Sequence, residues 1–308
     1  MSLLAFIPSP SHSSIHLGLT IHMYGLTLLL AIAACMALTG IRYVRRGGNW
    51  DLIFQAGVWG VVAGIVGARL YHDVTSWDQV QAIHAWWAPF AVWKGGLGIY
   101  GGLLFGVGVG ALIVRRAGES IPKMMDLVAP GLLLAQAIGR WGNWWNQELF
   151  GKPTKLPWGL EIAAGNRPAG YGDYATFHPT FLYESLYALV GVVLLLWLER
   201  RFRFRSPALF ALYVAYYALG RFFEELIRID PAHMVAGLRL NAWISIFIFA
   251  LAWGFFVWWQ FLRERGELAF AGGGPPPPAP RPKPKRRRKE PSVEVKGPKM
   301  TVPKSRSR

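Results

Sequence analysis

Residues 139–151 read GRWGNWWNQELFG. An arginine, two asparagines, a glutamine and a glutamate stand together in a 308-residue chain that is 53% hydrophobic and 16% charged. What lies on either side decides how that stretch is read. Apolar runs cover Leu17–Val44, Leu52–Tyr71, Gly95–Val114, Met124–Ile138, Pro179–Leu198, Ala208–Ile227 and Leu238–Leu262. Crossing a hydrocarbon core takes about 20 helical residues, and each run is long enough or nearly so. The sequence therefore predicts an all-α integral membrane protein of about seven transmembrane helices. The fourth run is the shortest, and it ends in the polar stretch. A large soluble helical protein is the alternative; so many long apolar runs in one chain argue against it.

Lysine and arginine set the expected orientation. Arg42, Arg45 and Arg46 follow the first run, Arg115, Arg116 and Lys123 lie between the third and fourth, and Arg200, Arg201, Arg203 and Arg205 follow the fifth. The alternate loops are poor in cations: 72–93 holds Asp73 and Asp78, with Lys94 just beyond. The positive-inside rule then puts the N-terminus outside and the C-terminus in the cytoplasm, as an odd number of spans requires. The opening MSLLAFIPSPSHSS has no basic n-region and no small-residue cleavage site next to the apolar run, so the first span reads as retained.

The chain divides into a seven-span membrane domain, 1–262, and a tail, 263–308. Residues 271–308 hold twelve Lys/Arg and two Glu, +10 of the net +16. Such a Pro-rich basic segment cannot bury enough apolar surface to fold, so a disordered cytoplasmic tail is expected. KPKRRRK matches a nucleic-acid patch by composition. Beside a cytoplasmic membrane end it reads better as attraction to anionic headgroups, so no nucleic-acid partner is expected. Cys35 is the single cysteine, which excludes an internal disulfide and a cysteine metal site. No His/Asp/Glu cluster has metal-ligand spacing. GLGIYG, 96–101, matches GxGxxG formally, but no strand precedes it. Its glycines, with Gly102, Gly106 and Gly110, read as close-packing positions between helices. No cofactor is expected.

Charged side chains at membrane depth are costly and usually face a cavity or a partner. Two helices carry them. In the opening stretch Arg140, Asn143 and Gln147 fall on one stripe at 100° per residue, flanked by Asn146 and Glu148. Counting from Pro122 at 1.5 Å per residue, Arg140 lies about 27 Å along the helix, near the outer surface. In YYALGRFFEELIRID, Tyr217, Arg221, Glu225 and Arg228 share a face. One glutamate does not neutralise two arginines, and the surplus suggests an anionic ligand, which the arginine fork would hold as phosphate. Tyr24, Tyr100, His178 and Arg69 come to the same level from four other spans. The loop 149–178, with Trp158, Tyr171 and Tyr174, is read as an outer-face flap over the site.

GRWGNWWNQELFG resembles the signature of bacterial prolipoprotein diacylglyceryl transferases, through Gly139, Arg140, Gly142, Asn143, Asn146, Glu148 and Gly151. HMYG, GARL, KGGLGIYGG, HPTFLYE and GRFFEELIR resemble the family's other blocks, in order, over about residues 15–262. The resemblance implies a bacterial inner-membrane enzyme with its site toward the outer leaflet. It would move a diacylglyceryl group from phosphatidylglycerol to the lipobox cysteine of a prolipoprotein signal peptide, leaving a thioether and glycerol phosphate. It implies that Arg140 and Arg221 grip phosphate and that Asn143 holds the lipid head or orients an arginine. Glu225 would orient Arg221 or Arg228, with Glu148 and Tyr24 secondary. Many members resembling this chain have HGG where Tyr100–Gly102 stands. A tyrosine is a poor base at neutral pH, since a phenol ionises near about 10. Either Tyr100 only hydrogen-bonds, or the base is another residue, or none is needed. The first is expected, with arginine electrostatics carrying the reaction.

Two other classes fit part of this pattern. An anion transporter would use buried arginines, but the polar groups gather at one level rather than along a path, and no internal repeat is visible. A lipid-binding scaffold without chemistry would use the same pocket and differ only in forming no product.

Overall fold

The computed structural model describes residues 6–16, 20–92 and 95–263. The predicted tail lies outside them, apart from Arg263. Eight α-helices run through the described residues: α1 Met23–Val44, α2 Trp50–Thr75, the short α3 Trp77–Gln81, α4 Ile99–Arg116, α5 Ile121–Asn146, α6 Thr180–Arg201, α7 Ala208–Ile227 and α8 Leu240–Val257. Three two-stranded antiparallel pairs accompany them: β1 Ser14–His16 with β2 Thr20–His22, β3 Leu160–Glu161 with β4 Thr176–Phe177, and β5 Met234–Val235 with β6 Leu238–Arg239. All three pairs lie at connections on one side of the bundle.

Six helices are long and apolar enough to cross a membrane: α1, α2, α4, α5, α6, and α8 continued through a π-helical turn to Leu262. The protein is a multi-pass membrane protein. Against the seven expected spans, α7 is the one outside that set, because its 20 residues include Arg221, Glu224 and Glu225. Leu29, Val66, Leu104, Val193 and Phe247 are among the many large apolar side chains left exposed along the helices, as lipid-facing surfaces are.

Several predicted boundaries move. The run read as the shortest span belongs to a 26-residue helix, because α5 continues through the signature to Asn146 and tolerates Pro130 inside. The third span starts four residues late: Gly95 and Gly96 have φ of +85° and +73°, which no helix accepts. The first helix starts at Met23 because residues 20–22 are in β2.

Close backbone approach explains the glycines. A Cβ on Gly101 would sit 2.2 Å from the Gly67 carbonyl oxygen, and one on Gly106 3.0 Å from that of Gly60. α2 and α4 thus touch backbone to backbone, as small residues permit where no hydrophobic force drives helices together. On the other side of the bundle Tyr187 of α6 stacks on Tyr216 of α7 at 4.2 Å. Each hydroxyl donates to the other's carbonyl oxygen at 2.7 Å, and the rings lie over Gly220 and Gly191. This clasp fixes α6 against α7 one turn from Glu184 and next to Arg221.

At the end of the bundle away from the signature, Arg42 donates to both carboxylate oxygens of Glu199 at 2.7 Å and to the carbonyl oxygens of Asp126 and Leu127. Arg46 joins the same carboxylate. Asp126 accepts the Phe210 N–H at 2.8 Å, one of the donors that the first turn of α7 leaves free. Four helices are tied together there.

The loop 149–178 is a folded cap rather than a bare flap. Phe150, Leu160, Ile162, Phe177 and Phe181 form its buried core. Residues before β1 complete it. Ile7 donates to Gly159 and accepts from Glu161, while Pro8 and Pro10 accept from Trp144 and Gln147.

The α2–α4 contact yields a prediction. Gly101→Ala forces two backbones apart and should cost about 1–3 kcal/mol. Gly108→Ala, where a side chain would meet nothing within 4 Å, should be neutral or stabilising by up to about 1 kcal/mol. Thermal unfolding of the two variants in detergent tests this: equal melting temperatures would refute the packing argument.

Candidate active site

The signature positions its own side chains first. Gly142 lets α5 approach α1, since a Cβ there would lie 2.6 Å from the Tyr24 ring and 2.8 Å from Thr27 Oγ1. Trp141 and Trp144 pack on Phe181 at 5.4 and 6.1 Å, which holds α5 to the start of α6. Nothing lies within 4 Å of where a Gly139 side chain would be, so no packing reason for that glycine is visible. The helix ends because Gln147 turns left-handed at φ +51°, a conformation costly without glycine. Its amide offsets that by donating to Pro10 and accepting from Ala163 N–H. Gln147 thus leaves the stripe on which the sequence placed it. Gly151 closes the segment. It donates to the His178 carbonyl and bridges Arg228, and a Cβ there would sit 2.9 Å from His178 Cβ. The signature's last glycine therefore fixes where Arg228 stands.

Arginines and carboxylates then form one row across the bundle. Arg140 Nη2 is 2.5 Å from Glu184 of α6. Glu184 meets Glu224 of α7, side chain to side chain. Arg221 contacts Glu224 at 2.6 Å and Glu225 at 2.5 Å. Glu225 meets Arg239 of β6 at 2.5 Å, and Arg239 reaches Asp230 at 2.8 Å. Arg228 closes the row on Asp230 at 2.6 Å, with Glu225 at 3.6 Å and Glu224 at 3.8 Å. Arg140 and Arg221 interact electrostatically, and Tyr217 lies within electrostatic reach of both. Asn143 is buried beside Arg140; its Oδ1 accepts from Arg140 Nη1 at 3.4 Å and its Nδ2 donates to Glu148 at 2.9 Å. Asn146 donates to the same Glu148 oxygen at 3.2 Å.

The structure thus brings together Arg140, Asn143, Asn146, Glu148, Tyr217, Arg221, Glu225 and Arg228. It leaves four expected residues apart. Arg69 spends its donors elsewhere, on the carbonyls of Ala88, Pro89, Gly95 and Gly96 and on Asp73, so it pins the α2–α4 connection. Tyr100 is 69% exposed on the first turn of α4; its ring leans on Tyr71 at 5.9 Å, and it makes no hydrogen bond among the described residues. Tyr24 packs on Gly142 beside the row rather than in it. His178 sits at the cap's base with Nδ1 3.1 Å from the Tyr183 hydroxyl. Burial, helped by Lys152, holds its imidazole below the usual histidine range.

Four residues that sequence reasoning did not count change the charge argument. Glu184, Glu224, Asp230 and Arg239 bring the row to four arginines and four carboxylates, so the expected surplus of positive charge on α7 is absent in formal count. Glu224 was visible as the first of the paired glutamates in FFEELI. Arg239 and Asp230 gave no periodic signal, because a turn and a β-strand bring them in.

A family model described as prolipoprotein diacylglyceryl transferase matches residues 12–258. The phosphatidylglycerol–prolipoprotein diacylglyceryl transferase of Cutibacterium acnes is 50% identical over 245 residues, 79% of this chain and 83% of that protein. The second such enzyme of Streptomyces coelicolor is 49% identical over 256 residues, 80% of this chain and 78% of that protein. That of Rhodococcus jostii is 41% identical over 299 residues, 89% and 81% of the two chains.

Asp230 lies beyond the end of α7. Burial alone would raise its carboxyl, but the hydrogen bonds and charges of Arg228 and Arg239 outweigh that and hold it below the usual carboxylate range. A depressed folded value stabilises above the unfolded value, about 3.9, and that contribution is lost as pH falls through the folded value. Asp230→Asn should therefore lower the melting temperature near neutral pH, and the gap to the native protein should close in acid below about pH 4. A gap that stays constant down to acid would refute the ion-pair account.

Proposed function

The chain belongs to the prolipoprotein diacylglyceryl transferase family, and from that membership we propose how its charged row performs the transfer. The protein moves a diacylglyceryl group from phosphatidylglycerol to the lipobox cysteine thiol of a prolipoprotein signal peptide, in the bacterial cytoplasmic membrane. The thiol sulfur attacks the glyceryl carbon, the carbon–oxygen bond to phosphate breaks, and glycerol phosphate leaves. Negative charge grows on the leaving phosphate. Preorganised donors aimed at growing charge in a water-poor site are the strongest help a protein gives. Arg140 and Arg221 are assigned that role. The observation that carries the assignment is their pairing across two helices: Arg140 on α5 and Arg221 on α7, within electrostatic reach of each other and each steadied by buried carboxylates.

Asn143 orients Arg140, and Glu148, which also accepts from Asn146, holds Asn143. Glu225 orients Arg221, and Arg228 and Tyr217 complete the wall toward the headgroup. Arg69, Tyr24 and His178 support the surrounding backbone. Tyr100 hydrogen-bonds substrate at most. The same arginine field favours thiolate over thiol. The site faces the outer leaflet, where a translocated signal peptide meets lipid. The cations clustered at the other end of the bundle, from Arg42 to Arg205, support that orientation.

The test is thioether formation by purified protein in detergent, with phosphatidylglycerol and a fluorescent lipobox peptide. A mass gain of one diacylglyceryl unit is expected, absent with a Cys→Ser peptide. Arg140→Ala should lose at least about 10²–10³ in kcat. Arg140→Lys should recover little, because an ammonium does not reproduce a guanidinium fork. Tyr100→Phe should lose less than about tenfold, roughly 1.4 kcal/mol of barrier. No product from folded protein would overturn the transfer. Equal losses in Tyr100→Phe and Arg140→Ala would overturn the division of roles.

A further inference from the structure

Glu184 and Glu224 are members of the charged row that the assigned roles leave without chemistry. The Glu184 side chain is 9% exposed. Neither carboxylate oxygen receives a hydrogen bond, so the 2.5 Å approach of Arg140 is an ion-pair contact out of line for one. On its other side is Glu224, with a side chain 7% exposed. Two buried carboxylates in contact with no donor between them repel, and the arrangement is stable when one proton is held between them. The groups facing the pair are Arg140 from α5, Tyr217 and Arg221 from α7, and Arg228 just past the end of α7. The tyrosine clasp of Tyr187 and Tyr216 sets the distance between the two helices that carry the pair.

The other candidates for a proton acceptor are committed elsewhere. Glu225 is flanked by Arg221 and Arg239, both at 2.5 Å. Glu148 takes up the Asn143 and Asn146 amides. Tyr100 stands exposed on Tyr71.

We propose that Glu184, holding a proton jointly with Glu224 and lying against Arg140, accepts the proton of the attacking thiol. This rests on the transferase reading above. Before attack the pair carries one proton and one negative charge; after taking the thiol proton it carries two and is neutral. Sulfur forms its bond to the glyceryl carbon as the carbon–oxygen bond breaks, and the electron pair leaves on the phosphate of glycerol phosphate. The pair then returns its extra proton to that phosphate, which departs as the monoanion. Glu184 is the catalytic residue in this step, and Glu224 positions it and holds the shared proton. With that proton in place, the row has four arginines against three negative charges, and so one net positive charge for the lipid phosphate.

The test compares two substrates that differ only in whether they need a base. A selenocysteine lipobox peptide presents a selenol that ionises at neutral pH unaided; the cysteine peptide does not. With the full chain in detergent and phosphatidylglycerol, Glu184→Gln should lose about 10²–10⁴-fold on the cysteine peptide. On the selenocysteine peptide it should lose less than about a tenth as much, general-base help being what the selenol does not need. Glu184→Asp should recover most of the cysteine activity, and Glu224→Gln should show the same contrast at smaller size. Arg140→Ala should fail on both peptides. Equal losses on the two peptides for Glu184→Gln and Glu224→Gln would overturn the proposal, as would full cysteine activity in Glu184→Gln. If Glu184→Gln does not fold, Glu224→Gln on the two peptides decides. A native protein that makes no product from either peptide would instead bring down the transferase reading.

Discussion

A guanidinium held at membrane depth has to be neutralised inside the fold, since neither lipid nor a distant solvent will do it. The row from Arg140 to Arg228 meets that demand by pairing: Arg140 lies against Glu184, each of Arg221, Arg228 and Arg239 lies against two or more carboxylates, and the row passes from α5 to α6, α7 and β6. Breaking one buried pair costs far more than the pair contributes, because the remaining charge is stranded. Each helix is thus held in angle and height by the helices it shares a charge with. Arg42 and Glu199 do the same at the opposite end for α1 and α6. Between the ends, helix separation is set by glycines and by one tyrosine clasp rather than by charge.

The same economy suits the proposed site, which would have to be rigid yet receptive to an anion. The arginines are oriented by carboxylates and by Asn143, whose own amide is held by Glu148. On the proposed roles, a phosphate arriving between Arg140 and Arg221 would meet donors already aimed, and little reorganisation would remain to oppose the developing charge. The carboxyl pair stands between those two arginines in the row of contacts, so on the proposed roles the groups that hold phosphate and the group that handles a proton share one framework.

Much of this was legible in the sequence, and the rest was hidden for physical reasons. Long apolar runs announce spans because no other fold tolerates them, and all seven runs became helices. Arg140, Asn143, Arg221, Glu225 and Arg228 were legible as polar residues at forbidden depth. What escaped were partners set by chain reversal. Arg239 arrives on β6 and Asp230 on the turn before it, so neither shares a helical period with α7. Helix ends were misjudged where a local conformation overrides composition, as at Gly95 and Gly96 and at the left-handed Gln147. Arg69 looked like a site residue by depth alone, although the carbonyls of 88–96 absorb its donors. The N-terminal residues carried no motif and turned out to complete the cap.

That last contact has a consequence for biogenesis. Ser9 Oγ donates to the Glu161 carbonyl across 152 positions of chain. Ile7, Pro8 and Pro10 likewise wait for Gly159, Trp144 and Gln147. When residues 6–10 emerge, nothing they bind has yet been made. Four membrane-crossing helices, α1, α2, α4 and α5, must enter the bilayer before the strap has a partner, and closing so long a loop is slow compared with forming any of the helices it encloses. The cover over Trp144 is therefore among the last structures to form. A chain stalled midway through synthesis would carry Arg140 alone of its charged row and no cap, leaving that guanidinium unpaired.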